Sequence, residues 1–403
     1  MTRKKKVVLL SNMSYLPEFG GVENSLRFLS NEYRRMGYIP LVFSGQSRIK
    51  PRRRVSKIGS SVVFSVDFRP SSYLLFNFVY FPFAWLSTLK RVLFIKRRYK
   101  VDAVIVRNQF MCLFLNFLFR RTIFLAPGFN YVQSSSKLKS NDFSIGTRIK
   151  FILNVSLDYV AIFTSTRIGL FSENMVEQLH RIIPKFIKKR VKDKVFITKP
   201  GVDFGKFTKT SSLEKEALKS GLGFSSSDFV ILCVGRFVQA KGFHIAIQSL
   251  AHLRHIPYIK LLLVGDGPMF DEYRELAESL GLSHRVSFLG SVTDTSTYYQ
   301  LSDMFLMSSI YEPLGQTILE AAASSLPIVA FDSDANEVTS ATSELLGSAY
   351  FKVAQINPQS LALVLEHAYS LDDSQMKLRG EMCRNKIIKY TWRNLSITLL
   401  DKS

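Results

Sequence analysis

Apolar residues in this chain come in two rhythms that alternate along its length. Short unbroken runs of aliphatic and β-branched residues read as strands buried on both faces. Stretches with apolar residues three and four apart read as helices. In the first half, Val7–Leu10 predicts a strand that leads through Phe19-Gly20-Gly21-Val22-Glu23 into a helix from about Asn24 to Met36, closed by Gly37. Leu41–Ser44, Val101–Val106, Thr122–Leu125, Ala161–Ser165 and Val195–Ile197 predict further strands. In the second half, strands are predicted over 229–234, 260–264, 286–288, 304–307 and 327–331, with an amphipathic helix from Phe243 to Leu253. Strand and helix in alternation imply an α/β fold with parallel sheets covered on both sides. No internal repeat interrupts the pattern.

The alternation breaks at Lys199-Pro200-Gly201-Val202-Asp203. At 403 residues the chain exceeds one ordinary core, so two domains are expected, 1–197 and 198–384. Tyr390-Thr391-Trp392 and the apolar Leu395–Leu400 belong to a last helix, about 385–403.

Charge divides the two halves. Residues 1–200 hold 36 Lys and Arg against 10 Asp and Glu, a surplus of 26, whereas the remainder holds 18 bases and 22 acids. No nucleic-acid motif accompanies the basic half, so no nucleic acid partner is expected. Anionic lipid headgroups fit better, because the bases adjoin apolar runs. Tyr73–Leu89 carries no charge over seventeen residues and is followed by Lys90-Arg91 and Lys96-Arg97-Arg98. It is short for a membrane span and is interrupted by Asn77 and Pro82. A buried helix and a helix dipping into a bilayer face both remain open for it. Lys185–Lys194 has six bases against one acid and reads either as a solvated face or as a lipid contact. The basic N-terminus runs into a strand and is not read as an export signal. Cys112, Cys233 and Cys383 lie scattered in apolar surroundings and suggest buried thiols, not a disulfide framework.

Glu312 and Glu320 bracket Pro313-Leu314-Gly315-Gln316-Thr317-Ile318-Leu319. Eight residues along a helix give an offset of about 80° over little more than two turns. Pro313 suits a first helical turn, which would put Glu312 at the helix mouth and Glu320 inside. Free N–H groups at such a mouth bind phosphate or sugar oxygens, and two carboxylates can accept hydrogen bonds from pairs of hydroxyls. Upstream, Val230-Ile231-Leu232-Cys233-Val234-Gly235-Arg236 is followed by Lys241-Gly242. Then come Leu261-Leu262-Leu263-Val264-Gly265-Asp266-Gly267-Pro268, Val286-Ser287-Phe288-Leu289-Gly290 and Asp303-Met304-Phe305-Leu306-Met307-Ser308-Ser309.

In this order, from about Lys199 to Glu337, the segments resemble the donor-binding half of the family 4 retaining glycosyltransferases. The resemblance implies the GT-B architecture, two Rossmann-like domains with parallel sheets facing across a cleft. It implies transfer of a sugar from a nucleotide-diphosphate sugar, the co-substrate, to a hydroxyl of a glycan or lipid-linked acceptor in cell-surface polysaccharide synthesis. No metal or other cofactor is implied, and Asp332-Ser333-Asp334 is read as a decoy despite its Asp-x-Asp spacing. Arg236 and Lys241 would stabilise charge on the departing phosphate, with Glu312 on the transferred sugar. Gly20, Gly21, Gly235, Gly290, Leu314, Gly315, Gln316 and Glu320 would bind the donor, Glu320 through the ribose hydroxyls. The family often carries a histidine just after the strand Thr122–Leu125, where this chain has Ala126-Pro127-Gly128. Arg107, Asn108, Asn130 and Tyr131 are the acceptor-side candidates in its place, and Glu23 belongs to the acceptor side through the loop it shares with Gly20 and Gly21. Peripheral attachment to the cytoplasmic face of a membrane follows from the charge and the implied acceptor. A GT-B sugar-nucleotide epimerase and a non-catalytic binding relative are the alternatives.

Overall fold

The structure is a computed structural model and describes residues 6–16, 20–45, 54–66, 74–131, 145–313, 315–332 and 338–403. Chain contacts separate two compact units, residues 1–200 with 392–403, and residues 201–391. The chain thus leaves the first unit at Pro200 and returns at Trp392, against 197 and about 385 expected from the sequence. Residues 385–391 stay with the second unit.

The first unit is built on an eight-stranded sheet. Its strands are β1 (Val7–Asn12), β2 (Ile39–Gly45), β3 (Val55–Ile58), β4 (Ser61–Val66), β5 (Val101–Val106), β6 (Thr122–Leu125), β7 (Arg167–Leu170) and β8 (Val195–Ile197). Their order is β3-β4-β2-β1-β5-β6-β7-β8, parallel except for the antiparallel β3–β4 pair. Helix α1 (Gly21–Arg35) follows β1 and buries Leu26, Leu29 and Tyr33. Gly37, at φ 84°, ends it as the sequence predicted. The strand order reverses between β1 and β5, so right-handed crossovers send α1 to one face of the sheet. Helices α2 (Leu74–Arg98), α3 (Gln109–Leu118) and α4 (Ile145–Thr164) go to the other. Trp85 packs on Phe114, with ring centroids 4.4 Å apart, and Asn116 bonds Thr164, so α2, α3 and α4 form one layer. The terminal helix, Trp392–Asp401, docks on α1. Trp392 stacks on Phe28 at 4.9 Å, and the Tyr33 hydroxyl donates to the Ser396 carbonyl at 3.3 Å.

Two expectations fail here. Ala161–Ser165 is the end of α4, because Ala161 and Ile162 continue the buried stripe of that helix. The strand lies just beyond, at Arg167–Leu170. Gly169 fits there because a Cβ would stand 2.8 Å from Leu125 Cδ1 and 3.0 Å from Phe196 Cζ on its neighbours. The hairpin β3–β4 was not anticipated, since its first strand has an exposed–intermediate alternation with few apolar residues. Tyr73 and the side chains of residues 74–84 lie outside the described residues. The remainder of the run Tyr73–Leu89 lies in α2, where Trp85 and Leu86 are exposed, Thr88 is buried and the basic residues Lys90 and Arg91 follow. Lys185–Lys194 forms a short turn and the five-residue helix Lys188–Lys192.

The second unit carries a six-stranded parallel sheet. Its strands are β9 (Phe229–Val234), β10 (Ile259–Val264), β11 (Val286–Phe288), β12 (Met304–Met307), β14 (Ile328–Phe331) and β16 (Phe351–Val353), in the order β11-β10-β9-β12-β14-β16. A separate two-stranded pair joins β13 (Tyr311–Glu312) to β15 (Thr339–Ser340). Strands β9, β10, β11 and β12 fall within one residue of their predicted bounds, as does β14. Both faces are buried, by one cluster around Ile231, Leu263 and Leu306 and another around Leu232, Leu262 and Phe305. Cys112, Cys233 and Cys383 are buried and unpaired, and burial pushes all three thiols up.

Candidate active site

In the second unit the strand order reverses between β9 and β12. Open α/β sheets bind ligands beyond the carboxyl ends of the strands at such a point. Gly235 and Arg236 follow β9 there, and Ser308 follows β12. Helix α5 (Phe243–His252) begins after Gly242, which adopts φ 63°. A Cβ on Gly242 would collide with the Ser308 carbonyl, so the loop lies directly on the end of β12. Two further bonds hold it: the Ser308 hydroxyl donates to the Lys241 carbonyl at 2.8 Å, and the Ile310 N–H donates to the Ala240 carbonyl at 2.9 Å. Ser308 was not singled out from the sequence. Its signal was only its place at the end of a predicted strand.

This loop delivers Lys241 to Glu312. The Lys241 ammonium donates to Glu312 Oε2 in an ion pair between largely buried side chains, and the Lys241 stem passes 3.3 Å from where a Gly235 Cβ would stand. Glycine at 235 therefore makes room for the catalytic candidate. Glu312 Oε1 also accepts from the Gly315 N–H at 3.3 Å. Arg236 is exposed, and its side chain makes no hydrogen bond or ion pair among the described residues, so its guanidinium is available to an anionic ligand.

Glu312 is not at a helix mouth. Helix α6 is Gln316–Ala323, and Gly315 precedes it at φ 67°. Pro313 lies outside the helix because the chain turns left-handed at Gly315, a conformation that glycine adopts without strain. Glu312 itself sits in β13, paired with Ser340. Its carboxylate still reaches the turn before α6 through Gly315. Leu314 lies outside the described residues.

Glu320 is one turn inside α6. It accepts the Tyr299 hydroxyl at 3.0 Å, and the Gln316 amide approaches it at 3.5 Å. Burial pushes its carboxyl up to about 7, against the opposing pull of Tyr299, Gln316 and Lys206. Lys206 is itself paired with Asp294 at 3.0 Å. Gln316 also donates to the Gly201 carbonyl at 3.2 Å, which ties α6 to the start of the unit. Gly290, at φ 68°, accepts the Gly265 N–H at 2.9 Å beside the same strand ends. The structure thus gathers Lys241, Glu312 and Gly315 into one bonded cluster against Gly235, with Gln316 and Glu320 on the helix that follows. Tyr299, Lys206 and Asp294 around Glu320 were not read from the sequence, for hydroxyl and ion pairs across 20 or more residues leave no local pattern. Asp332 pairs with Lys352 at 3.3 Å, and Asp334 lies outside the described residues.

The first unit holds the remaining candidates. Gly20 is the extended residue before α1, and Gly21 begins the helix. Glu23 accepts from Asn12 Nδ2 at 3.2 Å and from the Ser14 hydroxyl. Arg107 is fully buried after β5. It donates to Ser25 Oγ at 3.1 Å and lies 5.1 Å over the Phe171 ring. Burial lowers its pKa to about 10, with Glu23 pulling the other way. Asn108 caps α3 by accepting from the Phe110 and Met111 N–H groups. Asn130 is held by Asp158 on α4. Its N–H donates to Asp158 Oδ2 at 2.7 Å and its amide to Oδ1 at 3.0 Å.

The two α/β units have the GT-B fold, and the second carries a cation–carboxylate pair at its topological switch point. Residues 214–382, all within the second unit, match the model of the family described as glycosyl transferases group 1. Over 105 residues it is 44% identical to the lipopolysaccharide core biosynthesis glycosyltransferase LpsE of Rhizobium meliloti, covering 26% of this chain and 30% of that protein. Over 333 residues it is 22% identical to alpha-monoglucosyldiacylglycerol synthase of Streptococcus pneumoniae, covering 79% of this chain and 69% of that protein. The chain thus spans about a third of the length of the first of these relatives. The fold superposes on Anabaena HepE, solved in complex with UDP and glucose, with a TM-score of 0.72 at 18% identity over 97% of this chain and 98% of that one.

Proposed function

We propose that this protein is a retaining glycosyltransferase that moves a hexosyl or related sugar from a nucleotide-diphosphate sugar to a hydroxyl of a glycan or lipid-linked acceptor. Cell-surface polysaccharide or glycolipid synthesis is its setting. The observation that carries the reading is the Lys241–Glu312 pair at the end of β9, with Glu320 eight residues further on. Named relatives in lipopolysaccharide core and glycolipid synthesis support the substrate class.

Lys241 and Arg236 place positive charge where the donor diphosphate departs. Fixed cations stabilise the transition state most when charge develops beside them. Glu312 accepts hydroxyls of the transferred sugar while holding Lys241. Glu320 accepts the ribose hydroxyls. Gly20, Gly21 and Glu23 are assigned to the donor diphosphate and acceptor side by resemblance. No cofactor is needed on this reading. Retention follows from attack on the face from which the nucleoside diphosphate leaves. The acceptor O–H bond and the sugar–phosphate bond break, the new glycosidic bond forms, and the leaving phosphate oxygen takes the proton. The protein works on the inner, cytoplasmic face of a membrane without spanning it. Among the described residues no helix is long and apolar enough to cross a membrane.

Incubation of the purified protein with UDP-, GDP- and ADP-sugars, read by mass spectrometry, tests the reading. Release of one nucleoside diphosphate with transfer of its sugar to a hydroxyl is expected. Interconversion of one free sugar nucleotide into its epimer would identify the epimerase instead, and binding without turnover would identify the non-catalytic relative.

A further inference from the structure

Helices α2, α3 and α4 cover one face of the first sheet, and their outward side has an unusual composition. The three sequences contain one acidic residue between them, Asp158, and it is fully buried. Their bases number seven: Lys90, Arg91, Lys96, Arg97 and Arg98 on α2, with Arg148 and Lys150 on α4. Among the described side chains, Lys90, Lys96, Arg97, Arg98 and Arg148 are exposed. Large apolar side chains share that surface. Leu86 and Phe94 on α2 are 52% and 53% exposed, Phe117 on α3 is 72% exposed, and Ile149, Ile152 and Leu153 on α4 are 54%, 61% and 59% exposed.

The α4 residues are the most telling. Positions 149, 152 and 153 recur at the spacing that lines one helix face, and Asp158 lies nearly opposite Ile149. The helix is therefore inverted relative to an ordinary surface helix. It turns its carboxylate inward, where Gln109 and Asn130 satisfy it, and its isoleucines and leucine outward. Scattered apolar residues on a surface need no explanation, but a contiguous layer of them does. A protein partner or a second copy would also cover apolar residues. Neither explains why every exposed charge on three adjacent helices is positive.

We infer that the outer surface of α2, α3 and α4 rests on an anionic lipid bilayer, with Ile149, Ile152 and Leu153 entering the headgroup–acyl boundary and the arginines and lysines at the level of the phosphates. Apolar side chains flanked by bases and free of acids have the chemistry of interfacial binding. The inference deepens the membrane-side reading of the function and rests on it for its biological setting. It differs from the expectation drawn from the run Tyr73–Leu89, because it places the apolar contact chiefly on α4.

Co-sedimentation with vesicles of phosphatidylglycerol and phosphatidylcholine tests it, against vesicles of phosphatidylcholine alone. The full chain is expected to pellet with the anionic vesicles and to release at about 0.5 M salt, where Debye screening is nearly complete. The pair Ile152→Glu with Leu153→Glu is expected to weaken binding at least tenfold. Arg393→Glu changes net charge equally but lies on the terminal helix at the other face of the sheet, and it is expected to bind within twofold of the parent. Equal loss in both variants would reduce the effect to net charge and overturn the proposal. So would failure of the parent to pellet, or a parent dimer in sedimentation equilibrium that the α4 variant dissociates. Circular dichroism verifies that both variants are folded. Calorimetric titration with UDP, GDP and ADP on the same proteins separates the two readings. Nucleotide binding without vesicle binding rejects the surface alone, and vesicle binding without any nucleotide binding rejects the transferase reading alone.

Discussion

The Tyr299 hydroxyl donates to Glu320 at 3.0 Å inside the second unit, and this bond does not fully offset the burial of the carboxylate. Burial pushes the Glu320 carboxyl up to about 7, from an ordinary value of 4.5. The folded protein therefore holds this proton more tightly than the unfolded chain does. Stability contributed by the protonated form is present in full below about 4.5 and is lost as pH rises through about 7. Glu320→Gln removes the titration and keeps the shape. Urea unfolding of both proteins should show the variant gaining on the parent as pH rises from 5 to 8, by roughly 1–3 kcal/mol. A difference that stays flat with pH would mean that Glu320 titrates normally.

Much of the second unit was legible because buried parallel strands leave unbroken apolar runs. Phe229–Val234 and Met304–Met307 declare themselves in sequence, and their ends place Gly235, Arg236 and Ser308 at the switch point. The Lys241–Glu312 pair was legible only as two candidates, since no pattern says that residues 71 apart in sequence meet. The start of α6 was misread because Pro313 fits a first helical turn by its own chemistry, whereas Gly315 determines where the helix begins. In the first unit the error at Ala161–Ser165 has the same origin. A short apolar run is compatible with both a strand and the last turn of a helix.

Arg236 and Lys241 should differ in what their loss exposes. Lys241 is bonded to Glu312, so Lys241→Ala leaves a largely buried carboxylate without its cation, while Arg236→Ala removes an exposed side chain. Both substitutions should lower turnover with the donor found by screening at least a hundredfold, with nucleotide affinity falling less than tenfold. Lys241→Ala should also lower unfolding stability, and Arg236→Ala should not. Steady-state rates together with urea unfolding check both statements. Full turnover in Lys241→Ala would remove it from the catalytic assignment.

The two glutamates should separate in a titration with bare nucleoside diphosphate. Glu320→Gln replaces a carboxylate acceptor by an amide and should raise the dissociation constant of the free nucleotide about tenfold, the scale of a hydrogen bond to a charged group. Because the carboxyl titrates near 7, nucleotide binding to the parent should weaken below that pH and release protons, a dependence the variant lacks. Glu312→Gln should leave bare-nucleotide affinity within threefold while transfer collapses. Isothermal calorimetry in buffers of different ionisation enthalpy measures all three quantities. A large affinity loss in Glu312→Gln would exchange the two assignments.

The loop after β6 should depend on Asp158. Its sequence is Ala126-Pro127-Gly128-Phe129-Asn130. Asp158 is fully buried and accepts from Gln109 Nε2 at 2.9 Å, from Asn130 Nδ2 at 3.0 Å and from the Asn130 N–H at 2.7 Å. Because a carboxylate only accepts, the Asn130 amide must face it through nitrogen, and its amide oxygen accepts no bond among the described residues, so it can accept from a ligand hydroxyl. Asp158→Ala leaves these donors unpaired in the interior and should cost about 2–4 kcal/mol of stability. Burial holds the Asp158 carboxyl up to about 6, so its proton also binds the folded state preferentially, and the stability cost of ionising it appears as pH rises from about 4 to about 6. Hydrogen exchange should show faster opening at Asn130 in Asp158→Ala than in the parent, with no change around Glu320 in the other unit. Transfer should fall while free-nucleotide affinity holds, because the substitution disturbs only the acceptor-side loop. Unchanged exchange at Asn130 would show that Asp158 does not fix this loop, and a matching loss of nucleotide affinity would show that its effect is not confined to it.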